Sequence, residues 1–462
     1  MTLEKFFSDA KDLIKLAYPI LIAQLIQNLM SFADTVMAGR VSSTDMAAVA
    51  VASSVWLPII ITIHGVIMAL SAIVSQARGA KEHDKIATST IQSAWIASIL
   101  SVAVIIIFYA LKPFIAAHTN IEPELKQLML DYLGYVVWGG PGFCLYFVLR
   151  SYIEGMGITK PTMIIAGIAL LINVPLNYLF IYGAFGAPEL GGAGCGLATA
   201  IVYWCMFLGM LVYAIKSKKL ANINFVPALT GPQMMPIMGI MSLGVPIALS
   251  LLFEVSLFSV VAIILAPLGA DIVASHQIAI NFSSLMFMIP LSIALAVTIK
   301  VGFAVGEHQP KQAKDICTTS LIIGFLIATT TATLTIVFRE PIARIYTTEL
   351  AVVEMAASLM FLAALFQFSD FIQVISAGAL RGYKDTKSIL YITFVAYWLV
   401  GLSLGLILGL TDYIVPRMGA AGFWIGFISG LTTAAILLAW RLRIIQQRTQ
   451  RHYEQNNSNL AS

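Results

Sequence analysis

Residues Met163 to Ile181 read MIIAGIALLINVPLNYLFI, nineteen positions without an acid or a base. At about 1.5 Å per helical residue, such a run reaches roughly the 30 Å of a bilayer's hydrocarbon core. Val102 to Leu111 with its flanks and Ser388 to Leu410 have the same character. One all-apolar helix also fits the core of a soluble protein, but a dozen along one chain leave that reading little room. The composition agrees: 59% hydrophobic, 11% charged and a mean hydropathy of +0.89, where soluble domains are roughly a quarter charged.

Charged or Gly/Pro-rich breaks divide the chain into spans near 13–38, 46–76, 87–111, 127–149, 162–184 and 193–215. A second set lies near 236–265, 272–303, 315–338, 352–379, 388–410 and 419–442. The expectation is an all-α integral membrane protein of twelve transmembrane helices. Basic residues collect in cytoplasmic loops. With the N-terminus inside, only Arg40, Lys112, Lys126, Arg339, Arg344 and Arg417 of the 27 Lys and Arg fall on the far side, and the other 21 fall inside. Both termini are therefore expected in the cytoplasm. The start carries Glu4, Lys5, Asp9, Lys11, Asp12 and Lys15 and shows no A-x-A cleavage site, so it reads as a retained helix.

The halves repeat at a displacement of 227 residues. Tyr18-Pro19-Ile20 falls on Val245-Pro246-Ile247, Gly79 on Gly306, Gly155, Thr159 and Lys160 on Gly382, Thr386 and Lys387, and Gly192-Ala193 on Gly419-Ala420. Six helices per half make parallel repeats, hence two pseudo-symmetric six-helix lobes with a pseudo-axis along the membrane normal. The division reads as lobe 1–216, cytoplasmic linker 217–235, lobe 236–443 and cytoplasmic tail 444–462. Pro19 and Pro246 are expected to interrupt the first helix of each lobe, where a missing amide and a ring clash permit bending.

Three acids stand inside apolar spans with no base within a helical turn: Asp34 in NLMSFADTVMAG, Glu254 in ALSLLFEVSLFSV and Asp370 in LFQFSDFIQV. Each costs at least about 2.5 to 3.5 kcal/mol at mid-membrane, so each needs a reason. The repeat does not duplicate them: their counterparts are Val261, Gln27 and Phe143. Glu254 and Asp370, on the first and fourth helices of the second lobe, are suited to holding a Na+ or sharing protons. Gln277 and Asn281, four apart on the eighth helix, are expected to add neutral oxygens. In the first lobe, Asn173 and Asn177 flank Pro175 and are placed to hydrogen-bond Asp34, with Asn28 and Thr199 as further candidates. The same asparagines also fit plain interhelical bonding.

Cys144, Cys195, Cys205 and Cys317 have no CxxC pairing and read as packing residues. The six histidines have no ligand or triad spacing, and His276 reads as a helix-end or packing residue. No GxxxxGK[ST] loop is present, and the net charge of +4 forms no basic stripe, which disfavours nucleotide-driven pumps, enzymes and nucleic-acid binders.

FADTVMAGRVS (Phe32 to Ser42), GMGITKP (Gly155 to Pro161) paired with GALRGYKDTK (Gly378 to Lys387), and LINVPLNYLFIYG (Leu171 to Gly183) resemble the multidrug and toxic compound extrusion (MATE) transporters, NorM-like bacterial branch. The resemblance covers nearly the whole chain. It implies secondary active efflux of lipophilic, often cationic, drugs and dyes across the bacterial inner membrane, by antiport with Na+ or H+ and without a cofactor. By position, Asp34 matches the family's first-lobe acid and Asn173 and Asn177 its partners. Glu254 and Asp370 match the second-lobe cation site, and Gln277 a polar residue of it. Two positions depart: Asn177 stands where some members carry an acid, and Phe366 where relatives present a tyrosine. A lipid-linked oligosaccharide flippase of the same superfamily is the alternative, but it would be expected to line its cavity with bases, whereas acids predominate here. A channel or receptor fits the repeated, unpaired acids less well than a gated carrier does. Met286, Phe287 and Met288 suit a cavity that repacks around many shapes. Membrane lipid and drug-like cations are the expected partners of a monomer.

Overall fold

The structure, a computed structural model, describes residues 2–118 and 122–461. Among these, twelve helices are long and apolar enough to cross a membrane. They are α1 Leu3–Gly39, α2 Ser43–Gly79, α3 His83–His118, α4 Pro123–Gly155, α5 Lys160–Tyr182, α6 Ala193–Lys216, α7 Met234–Leu265, α8 Ala270–Gly306, α9 Pro310–Tyr346, α10 Leu350–Gly382, α11 Thr386–Leu410 and α12 Ala420–Ala461. No strand occurs among the described residues. Helices satisfy every interior amide and carbonyl within their own segment, as hydrocarbon requires.

The twelve-helix expectation is met, and the helices run further than the apolar spans because charged turns continue them past the hydrocarbon. The largest difference is α12, which continues through the segment read as a tail. WRLRIIQQRTQRHYEQ (440–455) has no Gly or Pro and is rich in Arg and Gln, which favour helix. Pro19 and Pro246 lie within continuous helices. Between α6 and α7 the linker folds into two short 3₁₀ turns, Lys218–Leu220 and Val226–Ala228. All four cysteines are free thiols.

For α2 and α4 the backbone reproduces the repeat to the residue. Displacing α2 by 227 gives the bounds of α8, and displacing α4 gives those of α10. The helix ends match in detail. After α2, Glu82 N donates to Ala77 O (2.8 Å) and Lys81 is left-handed at φ 58°. After α8, Gln309 N donates to Ala304 O (2.9 Å) and His308 has φ 58°. This is a closing turn that satisfies orphan carbonyls at the cost of one left-handed residue. After α4 and α10 the same turn places Gly157 (φ 75°) and Lys384 (φ 62°) at equivalent positions.

The chain forms two compact units. The first lobe comprises Tyr18–Ala248. The second comprises the residues up to Ala17 together with those from Leu249 onward. The units therefore part beside Pro19 and Pro246, inside α1 and α7, and not at the linker. Ile240 and Ala248 of α7 bury against Val66 and Ile73 of α2 and Ile96 of α3 in the first lobe. Ala10, Leu13 and Ala17 of α1 join the second-lobe core with Leu257, Val261 and Val301. Each lobe's first helix therefore begins in the other lobe's core.

The paired glycines of the two motifs have a steric reason. A Cβ on Gly155 would meet the Ser71 carbonyl and Val74; one on Gly382 would meet the Thr298 carbonyl and Val301, again 227 residues apart. Alanine normally favours a helix over glycine by about 1 kcal/mol. Gly155→Ala and Gly382→Ala are nonetheless expected to lower the melting temperature of the detergent-solubilised protein. Gly239→Ala, where nothing lies within 4 Å, leaves it unchanged or raises it; equal shifts for all three would refute close helix contact.

Candidate functional site

In the first lobe α1, α5 and α6 converge on one carboxylate. Asp34 Oδ1 accepts from Asn173 Nδ2 (3.2 Å) and Asn177 Nδ2 (2.5 Å), and Oδ2 accepts from Thr199 Oγ1 (3.1 Å). Asn177 Nδ2 also donates to Asn173 Oδ1 (3.1 Å), and the Cys195 thiol to the Asp34 carbonyl (3.5 Å). The two asparagines are fully buried and Asp34 is 7% exposed. The i, i+4 spacing that stacks Asn173 over Asn177 gives Asp34 two donors from one helix face. Among the described residues every side-chain donor to this carboxylate is neutral, and it has no ion-pair partner. Asn177 Oδ1 is buried without a hydrogen-bond partner among the described residues, leaving the cluster one spare acceptor. Asn28 is exposed and donates to Gln24 O of its own helix (3.5 Å). It lies six residues before Asp34, more than a turn and a half away on α1.

The remainder of FADTVMAGRVS anchors this geometry. Ser42 caps α2 by accepting from Asp45 N (2.9 Å), and Gly192 N, at the start of α6, donates to Asp45 Oδ1. The acid that closes the α2 cap thereby also ties down α6, which carries Thr199.

In the second lobe Asp370 is buried on α10, and Gln373, three residues on, donates to its Oδ1 at 3.4 Å. Glu254 on α7 is half-buried and within electrostatic reach of Asp370 and of Arg381 at the end of α10. Tyr397, buried on α11, is within reach of both acids. It belongs to a π-helical stretch, Val395–Leu402, a distortion frequent at functional sites. Carboxylate, amide and phenol oxygens are the hard donors that Na+ takes.

Gln277 and Asn281 do share a face of α8, but it is the exposed face, and neither hydrogen-bonds to Glu254 or Asp370. The face turned inward carries Ser275, His276, Ala279 and Phe282. Spacing establishes which residues share a face, not which face meets α10. His276 is a packing residue, accepting from Trp424 Nε1 at 3.3 Å. Phe366 packs edge-on against Trp424 and Phe258, with centroids 6.0 and 6.4 Å away, so this position belongs to an aromatic core. Met286 packs against the same lobe core.

Sequence reasoning missed four participants. Gln373 was detectable as an i+3 neighbour of Asp370. Tyr397 and Arg381 were not, because only tertiary packing brings them near the acids. The fourth is an ion pair in the first lobe, Arg150 Nε to Glu154 Oε1 at 2.8 Å, with side chains 5% and 6% exposed. Glu154 and Arg381 occupy the same repeat position with opposite charge.

Comparison with known proteins agrees with this architecture. The MatE family model matches residues 19–179 and 246–407, two segments whose starts are 227 residues apart. The chain is 50% identical over 446 residues to multidrug resistance protein MdtK of Yersinia pseudotuberculosis, covering 96% of this chain and 98% of that one. The protein of the same name from Yersinia enterocolitica is 49% identical over equal coverage. Among solved structures, the eukaryotic MATE transporter AtDTX14 superposes with a TM-score of 0.84 at 18% identity, covering 97% of this chain and 99% of that one. An outward-facing multidrug resistance MATE family transporter of the MOP superfamily gives 0.85 at 20%, covering 96% and 97%. At such identities these structures establish the fold.

The buried pair on α4 supports a stability test. Arg150→Ala leaves Glu154 buried without its counter-charge, a change that typically costs about 3–5 kcal/mol. The double variant Arg150→Met with Glu154→Gln is expected to unfold at a higher temperature than Arg150→Ala; a lower one would show that the pair does not neutralise itself.

Proposed function

Since the chain belongs to the MATE family of multidrug efflux transporters, we propose that it exports lipophilic cations across the bacterial inner membrane in exchange for an inward Na+ or H+. The observation that carries this reading is a buried Asp34 whose side-chain partners are all neutral donors. An ionised carboxylate in that setting is stabilised by gaining a cation or a proton, and one excludes the other. That competition is the physical content of antiport at this position: the arriving proton releases the cationic drug.

The second lobe supplies the other half. Glu254 and Asp370 lie within electrostatic reach of each other and Arg381 within reach of Glu254, so one carboxylate stays in excess for one monovalent cation. Na+ would take its oxygens from the two acids, with Gln373 and Tyr397 beside them; a proton would need one acid alone. Asp34, Asn173, Asn177 and Thr199 then form the substrate and proton site, and Glu254 and Asp370 the coupling site. Gln277, Asn281 and Asn28 have no direct part in either. The inward drive includes about 2.3 kcal/mol per 100 mV of membrane potential for each charge. The segregation of Lys and Arg supports both termini in the cytoplasm. A flippase is disfavoured, since the MdtK relatives are named for multidrug resistance and Arg381, a base at the second-lobe acids, already faces Glu254.

Ethidium efflux from proteoliposomes, with sodium and pH gradients imposed separately, tests the coupling. At least one gradient is expected to drive efflux, and failure of both refutes antiport. Asp34→Asn is expected to abolish efflux under either gradient, while Asn28→Ala keeps the parental rate within about twofold. Glu254→Gln and Asp370→Asn are expected to lose cation-driven efflux; if both transport as the parent does, the second-lobe assignment fails.

A further inference from the structure

The second lobe carries a groove that the transport reading does not use. It lies between the start of α9 and the end of α12, with α10 behind it, and encloses about 660 Å³. This is the end of the lobe where the chain begins, since Lys5 of α1 pairs with Asp315 of α9. The lining is graded. At the outer end stand Lys314, Arg443 and Gln450; deeper along α9 come Ile322, Phe325 and Leu326. Lys314 and Phe325 are eleven residues apart, about 16 Å along a helix. The groove is thus polar and basic for roughly the depth of a headgroup and apolar below it.

Charge selects the occupant. Among the described residues no acid lines the groove. Asp315 is paired with Lys5, Asp12 with Lys300 and Asp385 with Arg441, while Glu454, one turn beyond the groove on α12, accepts from Gln450 (3.1 Å). Among the described residues, neither Lys314 nor Arg443 has an ion pair. Two unpaired cations over an apolar slot repel the cationic drugs that this transporter would export, and match an amphiphile with a negative head. Basic pockets between transmembrane helices bind anionic headgroups on these grounds.

We propose that this groove is a binding site for an anionic phospholipid, whose phosphate is held by Lys314 and Arg443 and whose acyl chain lies along Ile322, Phe325 and Leu326. The site is separate from the coupling acids and requires only that the chain lies in a bilayer. An occupant bridging α9 and α12 braces the outer helices of the second lobe against each other.

The test uses the full chain in a neutral detergent and counts retained lipid by native mass spectrometry, with phosphatidylglycerol and phosphatidylcholine as probes. The parent protein is expected to retain phosphatidylglycerol preferentially. Each cation is worth roughly fivefold in affinity, so Lys314→Gln with Arg443→Gln loses about twenty-five-fold. Lys311→Gln, a nearby exposed lysine outside the groove, retains parental binding. Thr318→Trp fills the groove while keeping both charges and is expected to lose retention as well; Lys314→Arg with Arg443→Lys keeps it. Equal retention of the two lipids, parental binding by the double glutamine variant, or displacement of the lipid by inorganic phosphate at matched concentration would each overturn the proposal. Dye efflux by the double variant in phosphatidylcholine proteoliposomes separates this result from the antiport reading: retained efflux with lost lipid leaves antiport intact.

Discussion

Hydrocarbon offers no hydrogen bonds and almost no dielectric screening, and the protein answers that constraint at every level. Its backbone closes into helices because an unpaired amide at that depth costs several kcal/mol. Its buried charges must be met by its own side chains. Asp34 is therefore surrounded by Asn173, Asn177 and Thr199, drawn from two further helices, and Glu154 by Arg150 on the same helix. Without this constraint these contacts would be interchangeable with water, and the carboxylates would have no special affinity for a drug or an ion.

The two lobes share scaffold and differ in chemistry. Helix bounds, closing turns and the glycine contacts against α2 and α8 recur at one displacement. The charged positions do not recur. The position of Glu154 in the first lobe holds Arg381 in the second, and the acids at 34, 254 and 370 have apolar or amide counterparts. Of these named groups, each lobe keeps one carboxylate more than it has guanidinium, reached by different arrangements. In the first lobe the pair neutralises itself along α4 and leaves Asp34 alone. In the second a single arginine faces Glu254 on α7, and Asp370 on α10 is the acid in excess. Duplication preserved what packing demands, because a methyl group at Gly155 or Gly382 collides with the valine of the facing helix, Val74 or Val301. It left the charges free to diverge.

The exchange of helix beginnings between the lobes has the same root. A helix long enough to cross a bilayer has two halves, and each half can bury its apolar face in a different core. The chain changes core beside Pro19 in α1 and Pro246 in α7, where one backbone hydrogen bond is already missing from the helix and a change of direction disturbs the backbone least. The linker between α6 and α7 is a boundary in composition only, and its Leu220, Ile223 and Ala228 are buried in the first-lobe core.

Twelve helices, the repeat and the acids at 34, 254 and 370 follow from local sequence, since hydropathy, periodicity and the cost of a charge in lipid depend on the residue and its near neighbours. The pairing of Asp34 with Asn173 and Asn177 was legible for the same reason: the i, i+4 spacing on α5 settles that both amides point one way. Which way the polar face of α8 points is not a local property, and Gln277 and Asn281 lie on its exposed face while Ser275 and His276 are buried. Arg381, Tyr397 and the groove at Lys314 and Arg443 likewise depend on helices distant in sequence. Sequence determines what each helix can offer; only packing, through the rotation and contact of whole helices, decides which offers meet.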